Sequence, residues 1–199
     1  MSTAEITSED WKLPSPRKVG ITCLIVTESA LFTIFVVAYL FYMGKSLNGP
    51  YPNEVLEFPW LGSIALIGSS FTILAAERFL AKGHRKGFLL WWGITMALGA
   101  YFLFFTGQEW MHLIFEKGLT LEANTFGSTF YSLVGLHASH VIIGLVLLSA
   151  VFIAGLRDAI HPDHHEHVEM ISWYWHFVDM IWIVVLTVVY IISVRVLYT

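Results

Sequence analysis

Five uninterrupted apolar blocks decide which solvent this chain folds in. They run approximately over 19–43, 60–80, 88–113, 126–156 and 173–197. Each is long enough to cross roughly 30 Å of hydrocarbon as a helix, which takes about 20 residues. Inside hydrocarbon every backbone N–H and C=O has to be satisfied by the chain itself, so only helices or closed barrels are available. A barrel would show segments of about 10 residues alternating polar and apolar. These blocks are continuous, and the expected fold is an all-α, polytopic membrane bundle of five transmembrane helices, one transmembrane domain over 1–199. Composition agrees: 56% of the residues are hydrophobic and 13% charged, where a soluble domain carries about 25% charged.

Five spans place the N-terminus, the second loop and the fourth loop on one face, and the first loop, third loop and C-terminus on the other. The first face carries Lys12, Arg17, Lys18, Arg78, Lys82, Arg85, Lys86 and Arg157, the second only Lys45, Lys117 and Arg195. Cationic loops stay inside, so the N-terminus is expected to be cytoplasmic and the C-terminus periplasmic or external. The basic run around 78–86 would meet anionic headgroups there. The first eighteen residues are polar, with acids near their start, and lack the layout of a cleavable signal peptide, so the first span is expected to be retained. Cys23 is the sole cysteine, which excludes an internal disulfide and a thiolate cluster.

The fourth block is too long for one perpendicular crossing and should tilt or emerge into water near Arg157. Gly93 with Ala97, and Gly135 with Ser139, recur at the four-residue spacing that lets helix backbones approach. Trp91, Trp92, Trp173 and Trp175 fall at the cytoplasmic span ends, where amphipathic rings anchor at an interface.

Chemistry is read from the ionisable residues inside the spans, because each is costly there and marks a candidate site. Glu28 lies about nine residues into the first block. It is expected to be protonated or hydrogen-bonded, since a bare buried carboxylate is expensive; an interhelical hydrogen bond and a proton-handling role are both open. Glu109 and His112, His137 and His140, and His176 and Asp179 form three pairs at i, i+3, each on one helix face. A Glu-x-x-His from each of two helices with carboxylates from two others is the ligand set of di-iron bundles, so a stand-alone membrane di-iron enzyme is one alternative. The run HPDHHEH adds His161, His164, His165 and His167, in part at the spacing of desaturase histidine boxes. Topology separates these clusters by much of the bilayer, with Glu109 and His112 toward the outside and His161 to His176 toward the cytoplasm. The simpler reading of the histidine loop is a solvated patch that exchanges protons near neutral pH. A small transporter using Glu28 would need a continuous polar path, and the sequence offers isolated polar residues.

Two segments, GSTFYSLVGLHASHVIIG (127–144) and WYWHFVDMIW (173–182), resemble the most diagnostic stretches of subunit III of the haem–copper respiratory oxidases. TESALF in the first span and LGAYFLFFTGQEW (98–110) fit in order, and the likeness runs from about residue 20 to the end. WLGS at 60–63 departs from the family's usual opening of that helix. The resemblance implies the five-helix form common among bacteria, in the plasma (inner) membrane. It implies a non-catalytic subunit of a proton-pumping terminal oxidase, with no haem or copper of its own; those cofactors are expected in partner subunits I and II. Further expected partners are a small subunit IV and phospholipids, and no nucleic acid. Glu28 then matches the family's membrane-buried, carbodiimide-sensitive carboxyl. Glu109, His112, His137, His140, Arg157, Trp173, Trp175, His176 and Asp179 are expected at lipid or subunit contacts, and His161, His164, His165 and His167 as a proton-buffering loop. Cytochrome c oxidases and quinol oxidases share this subunit type, so the electron donor stays open.

Overall fold

The computed structural model of the chain describes residues 15–160 and 165–196. Among them there is no strand, and five helices are long and apolar enough to cross a membrane. They are α1 (Pro16–Tyr42), α3 (Trp60–Ala81), α4 (Arg85–Phe115), α5 (Thr125–Leu156) and α6 (His165–Leu186), with a one-turn α2 (Pro52–Val55) in the first loop. α6 runs on through a π-helical segment, Thr187–Ile192, into a last short turn, α7 (Ser193–Val196). The five-span, all-helical architecture is therefore the one the apolar blocks predict.

Local chemistry sets the helix ends. Ser15 caps α1 by accepting from the Lys18 N–H at 3.3 Å, and Pro16 follows at the first helical position, where a missing N–H costs nothing. Asn124 caps α5 in the same way, accepting from the Gly127 N–H at 2.8 Å. Between α3 and α4 the chain reverses through Gly83, whose φ of 71° lies in the left-handed region that glycine reaches without a Cβ clash.

Three helices start at least three residues earlier than their apolar blocks: α1 at Pro16, α4 at Arg85 and α6 at His165. α6 begins at His165, eight residues before the apolar block at Trp173. Val168 and Ser172 are buried within that extension, so it packs like the rest of the helix. Its acidic first turn, Glu166, suits the positive end of the helix dipole. Likewise α4 extends from Arg85 to Phe115, three residues earlier than its apolar block. Arg85 turns back to cap α5, donating to the carbonyls of Gly155 and Leu156, both at 2.9 Å. At 32 residues, α5 is about 48 Å long, well beyond one hydrocarbon thickness.

α6 is the hub of the bundle. It packs against α3, α5 and α1, while α4 closes the ring by packing on α3 and α5. In the most apolar stretch of the α6 span, half the residues are buried inside the chain, against 6% for α1. α1 is thus an edge helix, resting on α5 and α6 alone through extended contact.

The hub is built on Trp175. Its ring is fully buried, and a Cβ placed on Gly99 of α4 or Gly144 of α5 would stand 2.6 or 2.8 Å from it. Two glycines on two helices therefore clear the slot into which one indole fits. Trp175 and Trp92 were expected at the membrane interface; both are wholly inside the bundle, because each indole N–H finds a buried acceptor, Ser69 Oγ and the Leu148 carbonyl. The small residues singled out by spacing are looser: a Cβ at Gly93 or Gly135 would meet only Phe152 or Trp110, at 3.5 and 3.4 Å.

Candidate functional site

The polar residues of the spans fall into three separate arrangements. The first is the contact of the edge helix α1 with α5. His140 sits one turn after Leu136 and its Nδ1 lies 2.8 Å from the Leu136 carbonyl. A carbonyl only accepts, so Nδ1 carries the hydrogen. Nε2 then faces Glu28 Oε2 at 3.1 Å. If the ring is neutral, Nε2 is an acceptor and Glu28 brings the proton; if the carboxyl is ionised, Nε2 brings it. In either state one proton lies between the two groups. His140 is nearly buried, whereas the Glu28 side chain keeps 26% of its surface. Phe32 closes against the imidazole edge, centroids 4.9 Å apart, and the Tyr174 hydroxyl donates to the His140 carbonyl at 3.2 Å.

The second arrangement is a serine seam between α3 and α6. Trp182 Nε1 donates to Ser63 Oγ at 3.1 Å and Trp175 Nε1 to Ser69 Oγ at 2.8 Å. Ser70 bonds both His176 and Asp179: its hydroxyl donates to Asp179 Oδ2 and lies 3.1 Å from His176 Nδ1. A hydroxyl has one proton to give, so His176 Nδ1–H donates to Ser70. The residues that interrupt the start of the last apolar block therefore fasten α6 to α3. The sequence reading, which expected His176 and Asp179 at a lipid or subunit contact, did not single out the serines. The signal was present in GSIALIGSS, where Ser63 and Ser70 stand seven residues apart on one face.

His137 has a different fate from His140. It is completely buried, stacked on Trp182 at 5.1 Å with the edges of Phe102 and Phe32 around it, and neither ring nitrogen has a hydrogen-bond partner among the described residues. The third arrangement lies at the other end of the bundle, where the Tyr190 hydroxyl, on the π-helical segment, donates to Glu109 Oε1 at 2.9 Å. His112 turns away to Glu116, 3.0 Å distant.

Four residues expected at lipid or subunit contacts, His137, His140, Trp175 and Asp179, are instead buried inside this chain. His140, Trp175 and Asp179 find hydrogen-bond partners on a neighbouring helix that hydrocarbon could not offer, whereas His137 is enclosed by the rings of Trp182, Phe102 and Phe32. Arg157 and Trp173 do reach the surface; Arg157 is the last residue of the α5 cap, and Trp173 lies under Lys18, 5.5 Å from its ring. His165 and His167 belong to the first turn of α6 rather than to a loop, and His161 and His164 lie outside the described residues. The three i, i+3 pairs thus serve three different neighbours. Among the described residues no group of three or more His, Cys, Asp or Glu is placed to hold a metal ion.

Fold and site together define a five-span helical membrane protein whose interior polar groups bind helix to helix. Residues 14–194 match the family model for cytochrome c oxidase subunit III. A cytochrome c oxidase subunit 3 from Synechocystis is 38% identical over 189 residues, covering 90% of this chain and 77% of the relative. One from Thermostichus vulcanus is 34% identical over 90% of this chain and 89% of the relative. A third, from Hippopotamus amphibius, is 34% identical over 87% of this chain and 68% of the relative. The chain belongs to the cytochrome c oxidase subunit III family.

Proposed function

We propose that this chain is a non-catalytic subunit of a proton-translocating, oxygen-reducing terminal oxidase, packed beside the catalytic subunit I in a bacterial plasma membrane. Its N-terminus is cytoplasmic, which puts the cationic turn between α3 and α4 against the inner leaflet. Haem and copper belong to subunits I and II, and the electron donor is cytochrome c, with a quinol as the alternative. The observation that carries this reading is the division of labour among the polar groups: those of α3 and α6 are consumed in holding the bundle, and Glu28 with His140 keeps a single proton at the bundle's edge. A subunit built this way supplies a rigid wall, lipid contacts and one protonatable position, which suits support of proton uptake and resistance to inactivation during turnover.

The test is to isolate the chain from its native membrane in mild detergent, then record a reduced-minus-oxidised spectrum and the metal content. Haem and copper accompanying larger subunits, and absent once this chain is stripped free, are expected. Iron without haem that stays on the isolated chain would overturn the proposal in favour of a di-iron enzyme. In the assembled oxidase, Glu28→Gln is expected to leave haem content intact while shortening the number of turnovers before inactivation.

A further inference from the structure

At the end of the bundle where the chain enters α1, the ends of α3, α4, α5 and α6 leave a cleft of about 500 Å³ between them. Leu80, Phe88 and Ile160 give it an apolar interior, and Arg85 and His165 a polar edge. Arg85 is already engaged inside the fold: it pairs with Asp158 at 2.5 Å and caps α5. Lys82 and Lys86, on either side of Arg85 in the chain, are exposed and form no ion pair among the described residues. The cleft therefore joins an apolar interior to two cations that still lack a counter-charge there.

The segment before Ser15 has the complementary chemistry. It reads MSTAEITSEDWKLP, with Glu5, Glu9 and Asp10 against one lysine, Lys12, and with one aromatic ring, Trp11. An anionic leaflet repels such a segment, whereas Lys82 and Lys86 attract it. Its point of departure is fixed as well. Ser15 bonds the Glu166 side chain, and Glu166 is the chain neighbour of His165 at the edge of the cleft. Ser15 is extended, with φ −57° and ψ 145°. Trp11 stands four residues upstream, and four extended residues span about 13 Å. That is enough to carry an indole across the start of α6, a cylinder about 10 Å wide with its side chains.

We propose that residues 1–14 form a strap that crosses the start of α6 and docks in this cleft. Trp11 enters against Leu80, Phe88 and Ile160, and Glu9 and Asp10 pair with Lys82 and Lys86. The strap ties the edge helix α1, whose extended contacts are with α5 and α6, to the α3–α4 turn on the far side of the hub. Its charged contacts are exposed, so salt weakens them, while the indole holds by burial. The inference goes beyond the proposed function and depends neither on haem nor on which subunits accompany the chain.

The test is made on the full chain in its native complex, in mild detergent. A photo-reactive benzoylphenylalanine in place of Trp11 is expected to cross-link within this chain, to residues 80–88 or to Ile160. Capture of another subunit, or of lipid alone, would overturn the proposal. The second readout is the rate at which a water-soluble maleimide labels Ala81→Cys, a position that lines the cleft and is exposed, in a Cys23→Ser background. Trp11→Ala should raise that rate about tenfold, the effect of losing one buried aromatic anchor. Lys82→Glu with Lys86→Glu should raise it too, and because both lysines are exposed the change disturbs little packing. Adding Glu9→Lys and Asp10→Lys to the reversed lysines should restore slow labelling. An unchanged rate in Trp11→Ala, or a charge swap that fails to restore slow labelling, would overturn the strap.

Discussion

The α3–α6 seam and the α1–α5 contact use the same kinds of side chain for opposite ends. In the seam, Ser63, Ser69 and Ser70 meet two indoles, an imidazole and a carboxyl; all seven groups are bonded at the helix interface, five of them buried and Ser70 and His176 half-buried. At the α1–α5 contact a carboxyl and an imidazole meet on a helix that is 6% buried in its most apolar stretch. Neutral hydroxyls can satisfy a partner without moving a proton, whereas an acid next to a base shares one. The first region therefore fixes geometry and the second holds a proton, and the difference follows from which residue sits opposite the histidine.

The sharpest way to break that contrast is to empty the hub. Trp175→Ala removes an indole that fills the slot between Gly99 and Gly144, and such truncations cost about 3–5 kcal/mol. The thermal unfolding midpoint of the chain in mild detergent should fall steeply, with aggregation or loss from the complex. If Trp175→Ala is no worse than Glu28→Gln, the seam is not what organises the bundle.

Next in size is Ser70→Ala. It deprives buried Asp179 and half-buried His176 of their shared partner, and an unsatisfied buried group costs about 1–3 kcal/mol. Asp179→Asn retains an oxygen to accept from Ser70 and should cost less than Ser70→Ala in the same melting experiment. Equal losses would mean that the carboxyl, not its hydrogen-bond partner, is what the seam requires.

Much of this architecture is legible in one sequence, for a physical reason. Hydrocarbon removes every option but the helix, so the apolar blocks marked five spans, and polar residues inside them had to be answered by neighbours. What spacing cannot give is who answers. His137 and His140 look equivalent at i, i+3, yet one stacks on Trp182 and the other meets Glu28, because that choice depends on how α1 and α6 are rotated about α5. The tryptophans misled for a related reason. A hydropathy boundary does not distinguish an indole at the interface from one that has found a serine, and Trp175 reads like Trp173 until the glycines of two other helices are seen around it. The start of α6 was placed late because HEHVEMIS is polar, although its acids face Arg17 and Lys18 of α1.

His140→Gln sharpens the contrast from the other side. An interhelical hydrogen bond in a membrane is worth about 0.6 kcal/mol on average, so the melting midpoint should barely move. The chemistry should move instead. With no base opposite it, Glu28 no longer shares its proton, and the rate of carbodiimide labelling at Glu28, together with its infrared carboxyl band, should change while Ser70→Ala leaves both alone. A labelling rate insensitive to His140 would reduce this contact to packing.

The smallest effect belongs to the ion pairs that fasten the start of α1 to the start of α6. Lys18 Nζ lies 3.0 Å from Glu169 and Arg17 3.4 Å from Glu166, with Ser15 also bonded to Glu166. All four charged side chains retain more than a quarter of their surface, so water and salt compete for them. Lys18→Gln should cost at most about 1 kcal/mol, and raising ionic strength should produce much of the same loss in the unmodified protein. α1 is the helix with least burial to replace what is lost. Hydrogen exchange should therefore report the change first at the amides of its opening turns, with the α3–α6 seam unaffected. Exchange that quickens equally in both regions would show that α1 and the seam open as one unit, and the separation between a fixed core and an adjustable edge would have to be abandoned.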